Sequence, residues 1–339
     1  MLAANAPAGR SPLHAVNLTG LMERTAGRPD VIVGLIDGSV AATQGDLATE
    51  NIRVLSKASN RAPEHASGPA LTHGTFVAGI LAARRGTAAP AICPGCTLVV
   101  RPIFLQPSAA NANTPSASPE ELAEAIIDCA EAGVRILNLS LSLATMSPNQ
   151  EPHLVQALDY AAAHGTLVVA AAGNQGTVGG SAITRHPWVI PVVACDWAGR
   201  PLAVSNLGAS IARRGLMAPG DAITSLGSSG QSLTGGGTSA ATPFVTGTLA
   251  LLLSIFPDAK CSGGKIGDHA SRCAQSRHRA ARARCLVRLS NDAEAAQELV
   301  PCLSGRKPRQ KPSRRTSLDP TAFACLDSFR ISGRSGSAR

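Results

Sequence analysis

Apolar residues along this chain fall into two kinds of run that alternate. Continuous stretches of small and β-branched residues at 31–36, 97–104, 134–141, 166–171 and 189–194 read as strands buried on both faces. Longer runs at 73–84, 119–132, 151–164 and 243–256 read as helices. This alternation predicts βαβ units, and so an α/β fold with a mostly parallel central sheet and helices on both faces. Ser118-Pro119-Glu120-Glu121 gives the second helix an N-cap, a proline at its first position and an acidic first turn. Abundant glycine and alanine, with aromatics at only 3%, suit close packing of helices on a sheet.

The pattern divides the chain into an extension at 1–30, a patterned domain at 31–259 and a poorly patterned tail at 260–339. Charge divides it in the same place. Residues 1–259 carry 14 Lys and Arg against 16 Asp and Glu, a balance of −2, whereas 260–339 carry 17 against 6, a balance of +11. The formal +9 of the whole chain therefore describes the tail, not the domain. Arg306-Lys-Pro-Arg-Gln-Lys-Pro-Ser-Arg-Arg315 has the composition of a solvated basic segment, and with no nucleic-acid-binding fold beside it, nucleic-acid contact is not expected. Only Asn291–Val300 looks helical there. A shifted reading frame within 260–339 is one origin for such a break, and codon usage compared with that of 1–259 tests it.

Four polar residues stand where these apolar runs end. Asp37 closes the strand Val31–Ile36, at the carboxyl edge where α/β sheets gather ligands and catalytic groups. His73 opens the helical run Thr72-His-Gly-Thr-Phe-Val-Ala-Gly79. Asn174 ends the strand Leu167–Ala172 through Gly173, and Ser239 lies between Gly235-Gly-Gly237 and the apolar run Phe244–Phe256. Each has a plain structural alternative when read alone: a turn aspartate, a packed histidine, a turn asparagine and a helix N-cap serine. Together they supply a nucleophile near a helix start, a base, a carboxylate to orient it and an amide donor for an oxyanion.

In this order the motifs resemble the subtilase family of serine peptidases over roughly residues 31–257. The carriers are Gly34-Leu-Ile-Asp37-Gly38, His73-Gly74-Thr75 through Gly79, Ala171-Ala172-Gly173-Asn174 and Gly237-Thr238-Ser239-Ala240-Ala241-Thr242-Pro243. The usual Asp-Thr/Ser-Gly is altered, since Gly38 follows the aspartate at once. Ala91-Ile-Cys-Pro-Gly-Cys96 running into Val100-Arg-Pro-Ile-Phe104, together with Asp37-Gly38 without an intervening residue, looks most like subtilases that process ribosomally made peptides, the cyanobactin type.

The resemblance implies a subtilisin-like three-layer sandwich and a serine endopeptidase working through an acyl-enzyme, with Asp37, His73 and Ser239 as the triad and Asn174 as the oxyanion donor. It also places substrate at Ser140, Leu141 and Ser142, and at Ala171 and Gly173. At the first of these sites Ser142 and Leu143 replace the family's glycines, which argues against broad degradative specificity. The expected partner is a peptide or protein, with no cofactor and no metal. A catalytically impaired binding protein on the same fold is the rival reading. An α/β-hydrolase esterase is disfavoured because Gly237-Thr-Ser239-Ala-Ala241 lacks the last glycine of Gly-x-Ser-x-Gly.

Nine cysteines form no regular disulfide framework. Cys93-Pro-Gly-Cys96 reads as a structural turn, with a disulfide or a bound metal as alternatives. Residues 1–30 lack the apolar core of a signal peptide, the run 245–256 is too short to cross a bilayer, and only 36 residues precede Asp37. The expectation is cytoplasmic residence without a long folding propeptide.

Overall fold

The computed structural model describes residues 11–41, 45–55, 68–104, 117–141 and 151–257. Ser142, Leu143 and the whole of 258–339, with the helix expected at 291–300, lie outside the described residues.

Seven strands form one sheet: β1 (Ile32–Asp37), β2 (Ile52–Val54), β3 (Thr97–Pro102), β4 (Ile136–Leu139), β5 (Leu167–Ala171), β6 (Val189–Cys195) and β7 (Leu216–Pro219). Their order is β2-β3-β1-β4-β5-β6-β7, and every pairing is parallel. Such a sheet must be covered on both faces, which is why β1, β4 and β5 are almost wholly buried. The order reverses at β1, since β1 pairs with β3 on one side and β4 on the other. A reversal opens a crevice at the carboxyl ends of the two strands, and Asp37 is the last residue of β1.

The short helices α1 (Pro12–Ala15) and α2 (Thr19–Arg24) precede β1. They bring Val16, Leu18, Leu21 and Met22 into the main core, so part of the segment expected as an extension packs with the domain. Helix α3 (Pro69–Ala82) follows β2, and α4 (Pro119–Glu131) and α5 (Pro152–Ala163) follow β3 and β4. Helix α4 begins as its sequence predicts: the Ser118 hydroxyl accepts from Glu121 N–H, and the Glu121 carboxylate accepts from Ser118 N–H. Helices α6 (Ala182–Arg185) and α7 (Ala209–Arg214) flank β6. A hairpin of β8 (Ile223–Leu226) and β9 (Ser232–Gly235) leads into α8 (Thr238–Ile255).

Helix α8 is long and apolar enough to cross a membrane by length and composition, but 89% of it is buried inside the protein. It packs on β4 to β7 and against α3, while α4 and α5 pack together beside β1, β3 and β5. A sheet between two helical layers results, the α/β sandwich expected from the alternation of runs.

Cys93-Pro-Gly-Cys96 is a turn between α3 and β3, closed by Cys96 N–H donating to the Cys93 carbonyl at 3.0 Å. Both thiols are buried and free. The hydrogen bond with Cys96 and burial push the Cys93 thiol up, and the same hydrogen bond lowers Cys96.

Candidate active site

Asp37 has no exposed surface. Its Oδ1 accepts from Gly38 N–H and from His73 Nδ1, both at 2.7 Å, while Oδ2 is buried without a partner among the described residues. Gly38 has no hydroxyl to offer that second oxygen, and it has no room for one. A Cβ at residue 38 would run into the Ala70 carbonyl of α3, so the Asp-Gly step lets the helix carrying His73 lie directly on the end of β1. Gly38→Ser should therefore destabilise the protein by about 1–3 kcal/mol, the usual cost of overpacking, read as a lower denaturant midpoint.

Helix α3 starts at Pro69 after Gly68, so His73 is in its second turn rather than at its mouth. The ring is fixed at Nδ1 by Asp37, which makes Nε2 the acceptor of the neutral imidazole. The Asp37 charge raises the His73 pKa above the ordinary imidazole value, burial opposes this, and the Asp37 hydrogen bond adds to the rise. A base must be neutral to take a proton, so activity should be lost as pH falls through this raised pKa. We expect the acid limb of kcat/KM to have its midpoint above about 6.5. Asp37→Asn should move that midpoint down and lower kcat by about 10⁴-fold, the cost of losing the orienting carboxylate. A pH–rate profile of both proteins checks it.

Ser239 is the second residue of α8, not its cap. The N-cap is Gly237, with φ 92°, and a Cβ there would lie 2.9 Å from Asn174 Oδ1. At this position the Ser239 N–H is one of the four first-turn donors without an intrahelical partner, and the helix dipole favours negative charge in front of it.

Pro243 sits inside the same helix and has no N–H to give the carbonyl four residues back, which is that of Ser239. The Ser140 hydroxyl takes that place, donating to the Ser239 carbonyl at 2.9 Å. Behind it, Asn138 Nδ2 donates to Ser140 Oγ at 2.8 Å and Thr246 Oγ1 donates to Asn138 Oδ1 at 2.8 Å. All three side chains are buried, so the relay pins the first turn of α8 to β4. Ser140 thus has its hydroxyl turned into the protein, and Leu141 beside it is 8% exposed.

Asn174 follows the end of β5. Its Oδ1 accepts from Thr238 N–H at 2.9 Å and Thr238 Oγ1 at 3.0 Å, which fixes the amide and leaves Nδ2 as its donor. Gly173 N–H donates to Thr238 Oγ1 at 3.3 Å, and Ala171 is buried at the strand end. The loop beyond Asn174 is held by Asn206, which the apolar pattern does not single out. Its Oδ1 accepts from Gln175 N–H at 3.0 Å and Thr177 N–H at 3.1 Å, and its Nδ2 donates to Gln175 Oε1 at 2.6 Å.

His73 and Ser239 line one cavity of about 410 Å³. The structure therefore brings Asp37 onto His73, sets His73 and Ser239 at the same opening, and locks Asn174 to the residue before Ser239. A base and a hydroxyl at one crevice, with the Asn174 amide tied to the residue before that hydroxyl, are parts that acyl transfer needs. The subtilase family model matches residues 28–279, most of the chain.

The chain belongs to the subtilase family.

Subtilisin DY of Bacillus licheniformis is 32% identical over 238 residues, 69% of this chain and 80% of that protein. Fervidolysin of Fervidobacterium pennivorans is 28% identical over 73% of this chain, which spans 38% of that longer protein. Among solved structures, the patellamide maturation protease PatA superposes with a TM-score of 0.62 at 28% identity, covering 81% of this chain and 98% of that one. The prenylagaramide maturation protease PagA does so with a TM-score of 0.62 at 28% identity, covering 71% and 82%. The likeness to peptide-maturation proteases is the one that Asp37-Gly38 and the Ala91–Cys96 turn lead one to expect. This subtilase is an α/β serine peptidase by family and by fold.

Among the described residues no group of three or more His, Cys, Asp or Glu side chains is placed to hold a metal ion.

Proposed function

We propose that this subtilase is a processing endopeptidase that cuts a ribosomally made precursor peptide through an acyl-enzyme on Ser239. The observation that carries the chemistry is the 2.7 Å bond from His73 to buried Asp37, with His73 and Ser239 on one cavity. Ser239 Oγ attacks the scissile carbonyl as His73 Nε2 takes its proton, and Asp37 stabilises the imidazolium. The carbonyl oxygen gains charge in front of Asn174 Nδ2 and the Ser239 N–H. The C–N bond then breaks as His73 returns the proton to the leaving amine, and water releases the acyl group by the same steps in reverse.

Two observations support processing over general degradation. The named similar structures are maturation proteases, and in the sequence Ser142 and Leu143 stand where the family has glycines, directly after Ser140-Leu141 at the end of β4. Substrate is proposed to lie along this edge, from Ser140 and Leu141 towards Ser142, and past Ala171 and Gly173.

Digestion of a random peptide library, read by mass spectrometry beside simple esters, tests the reading. We expect cleavage of peptide amides at a few recurrent sequences. Cuts at unrelated positions throughout the library remove the processing role. Intact amides beside hydrolysed esters remove the peptidase reading itself.

A further inference from the structure

Asn174 stands on an exposed bend. Before it, Gly173 at φ 103° turns the chain out of β5, and residues 174–178 all lie at the surface, with Gly176 at φ 63° among them. A glycine-bent surface segment has few buried contacts of its own and opens readily unless it is tied down. The Asn174 side chain is tied through Oδ1 to Thr238, and the backbone that carries it is held from another part of the fold.

That hold comes from the stretch between β6 and α7. Asn206 is buried there and grips the residue on each side of Asn174: its N–H donates to the Gly173 carbonyl at 2.9 Å, and its Oδ1 accepts from Gln175 N–H at 3.0 Å. The same oxygen accepts from Thr177 N–H and Thr177 Oγ1, each at 3.1 Å, while Nδ2 donates to Gln175 Oε1 at 2.6 Å. Both polar atoms of the side chain are thus engaged, and a fully paired buried amide is a rigid support. The fit also needs Gly173, because a Cβ at that residue would collide with Asn206 Nδ2.

We infer that Asn206 is a positioning residue for the oxyanion: by clamping residues 173 and 175 it sets the Asn174 amide that lies between them. The inference rests on the proposed peptidase reading, with Asn174 Nδ2 as the donor. A donor must stand about 2.7–3.1 Å from the place where the oxyanion forms, and a shift of about 1 Å can cost about 10²-fold in rate. His73 and Ser239 are carried by α3 and α8, so a loosened bend should displace the donor and leave base and nucleophile where they are.

A double-mutant cycle between Asn206 and Asn174 tests this. We expect Asn206→Ala to lower kcat by about 10–100-fold, with KM changed by no more than about twofold. The same substitution made in Asn174→Ala should lower kcat by no more than about twofold, because the donor it positions is already gone. A residue that merely supports the fold would cost the same factor in both backgrounds. Should Asn206→Ala not fold, Asn206→Ser, which keeps a short acceptor behind the bend, takes its place in the same cycle.

A variant with the wild-type kcat, a loss confined to KM, or equal losses in the two backgrounds overturns the inference. Fluorophosphonate labelling of the wild type separates this failure from that of the reading beneath it. Labelled, active protein with equal losses refutes the clamp alone, whereas wild type that takes no label refutes the peptidase reading and the clamp with it.

Discussion

Ser239→Ala should abolish labelling by a serine-directed fluorophosphonate and lower kcat by about 10⁶-fold, the loss found when the serine or histidine of a subtilisin triad is removed alone. The reasoning starts from the hydroxyl. A serine is a poor nucleophile until a base removes its proton, and His73, oriented by Asp37 at 2.7 Å, is the base proposed for it at this opening. Without Oγ there is no atom to phosphonylate and none to acylate. The residual rate should come only from binding and from donors that still face the carbonyl, about 10³–10⁴ over water.

The substitution should cost little stability. The contact that ties this residue to β4 is its backbone carbonyl, which accepts from Ser140 and survives the change. A folded, unlabelled Ser239→Ala beside a labelled wild type is thus the expected pair of results in intact-mass spectrometry. Labelling that persists in the variant removes Ser239 as nucleophile, and an unlabelled wild type favours a binding protein on the same fold.

Much of this site is legible in the sequence, because its polar residues end apolar runs. A strand predicted at 31–36 becomes β1 at Ile32–Asp37, and one predicted at 166–171 becomes β5 at Leu167–Ala171, so Asp37 and Asn174 fall at carboxyl edges of the sheet. Helix starts are less legible. The run beginning at His73 is apolar, but the helix begins four residues earlier, where Gly68-Pro69 provides the break and the fixed φ. Pro243 suggests the start of α8 for the same reason, yet it lies five residues inside. Its missing N–H is tolerated because Ser140, just past the end of β4, supplies a donor, a long-range contact that no local pattern encodes.

Short edge elements leave no signal at all. Strand β2 has three half-buried or exposed residues and β9 reads Ser-Leu-Thr-Gly, too short and too polar to stand out from loop. Residues that hold the site from behind are hidden for a related reason. Asn138 and Thr246 sit within apolar runs, where a buried hydrogen bond between them looks from the sequence like two interruptions. Asn206 lies in a stretch with no period to read, and only the folded loop shows that it grips Gln175 and Thr177.

The Asn174 amide is where geometry and catalysis can be pulled apart. Its Oδ1 accepts two hydrogen bonds from Thr238, and its Nδ2 is the donor proposed for the oxyanion. Asn174→Ala removes both functions, and Asn174→Asp removes only the second, because a carboxylate oxygen still accepts from Thr238 N–H and Oγ1. If the amide acts on the developing charge, both variants should lose about 10²–10³-fold in kcat with KM little changed, as when such a donor is taken from a subtilisin.

The aspartate should lose at least as much as the alanine, since it sets a negative charge where the oxyanion forms. Stability should follow the opposite order. The alanine leaves the Thr238 donors without their acceptor and should cost about 1–2 kcal/mol, while the aspartate should remain close to the wild type. Steady-state kinetics and denaturant unfolding on the two variants provide the test. An aspartate variant that turns over like the wild type would show that Asn174 only anchors Thr238, and would leave the first turn of α8 to hold the oxyanion by itself.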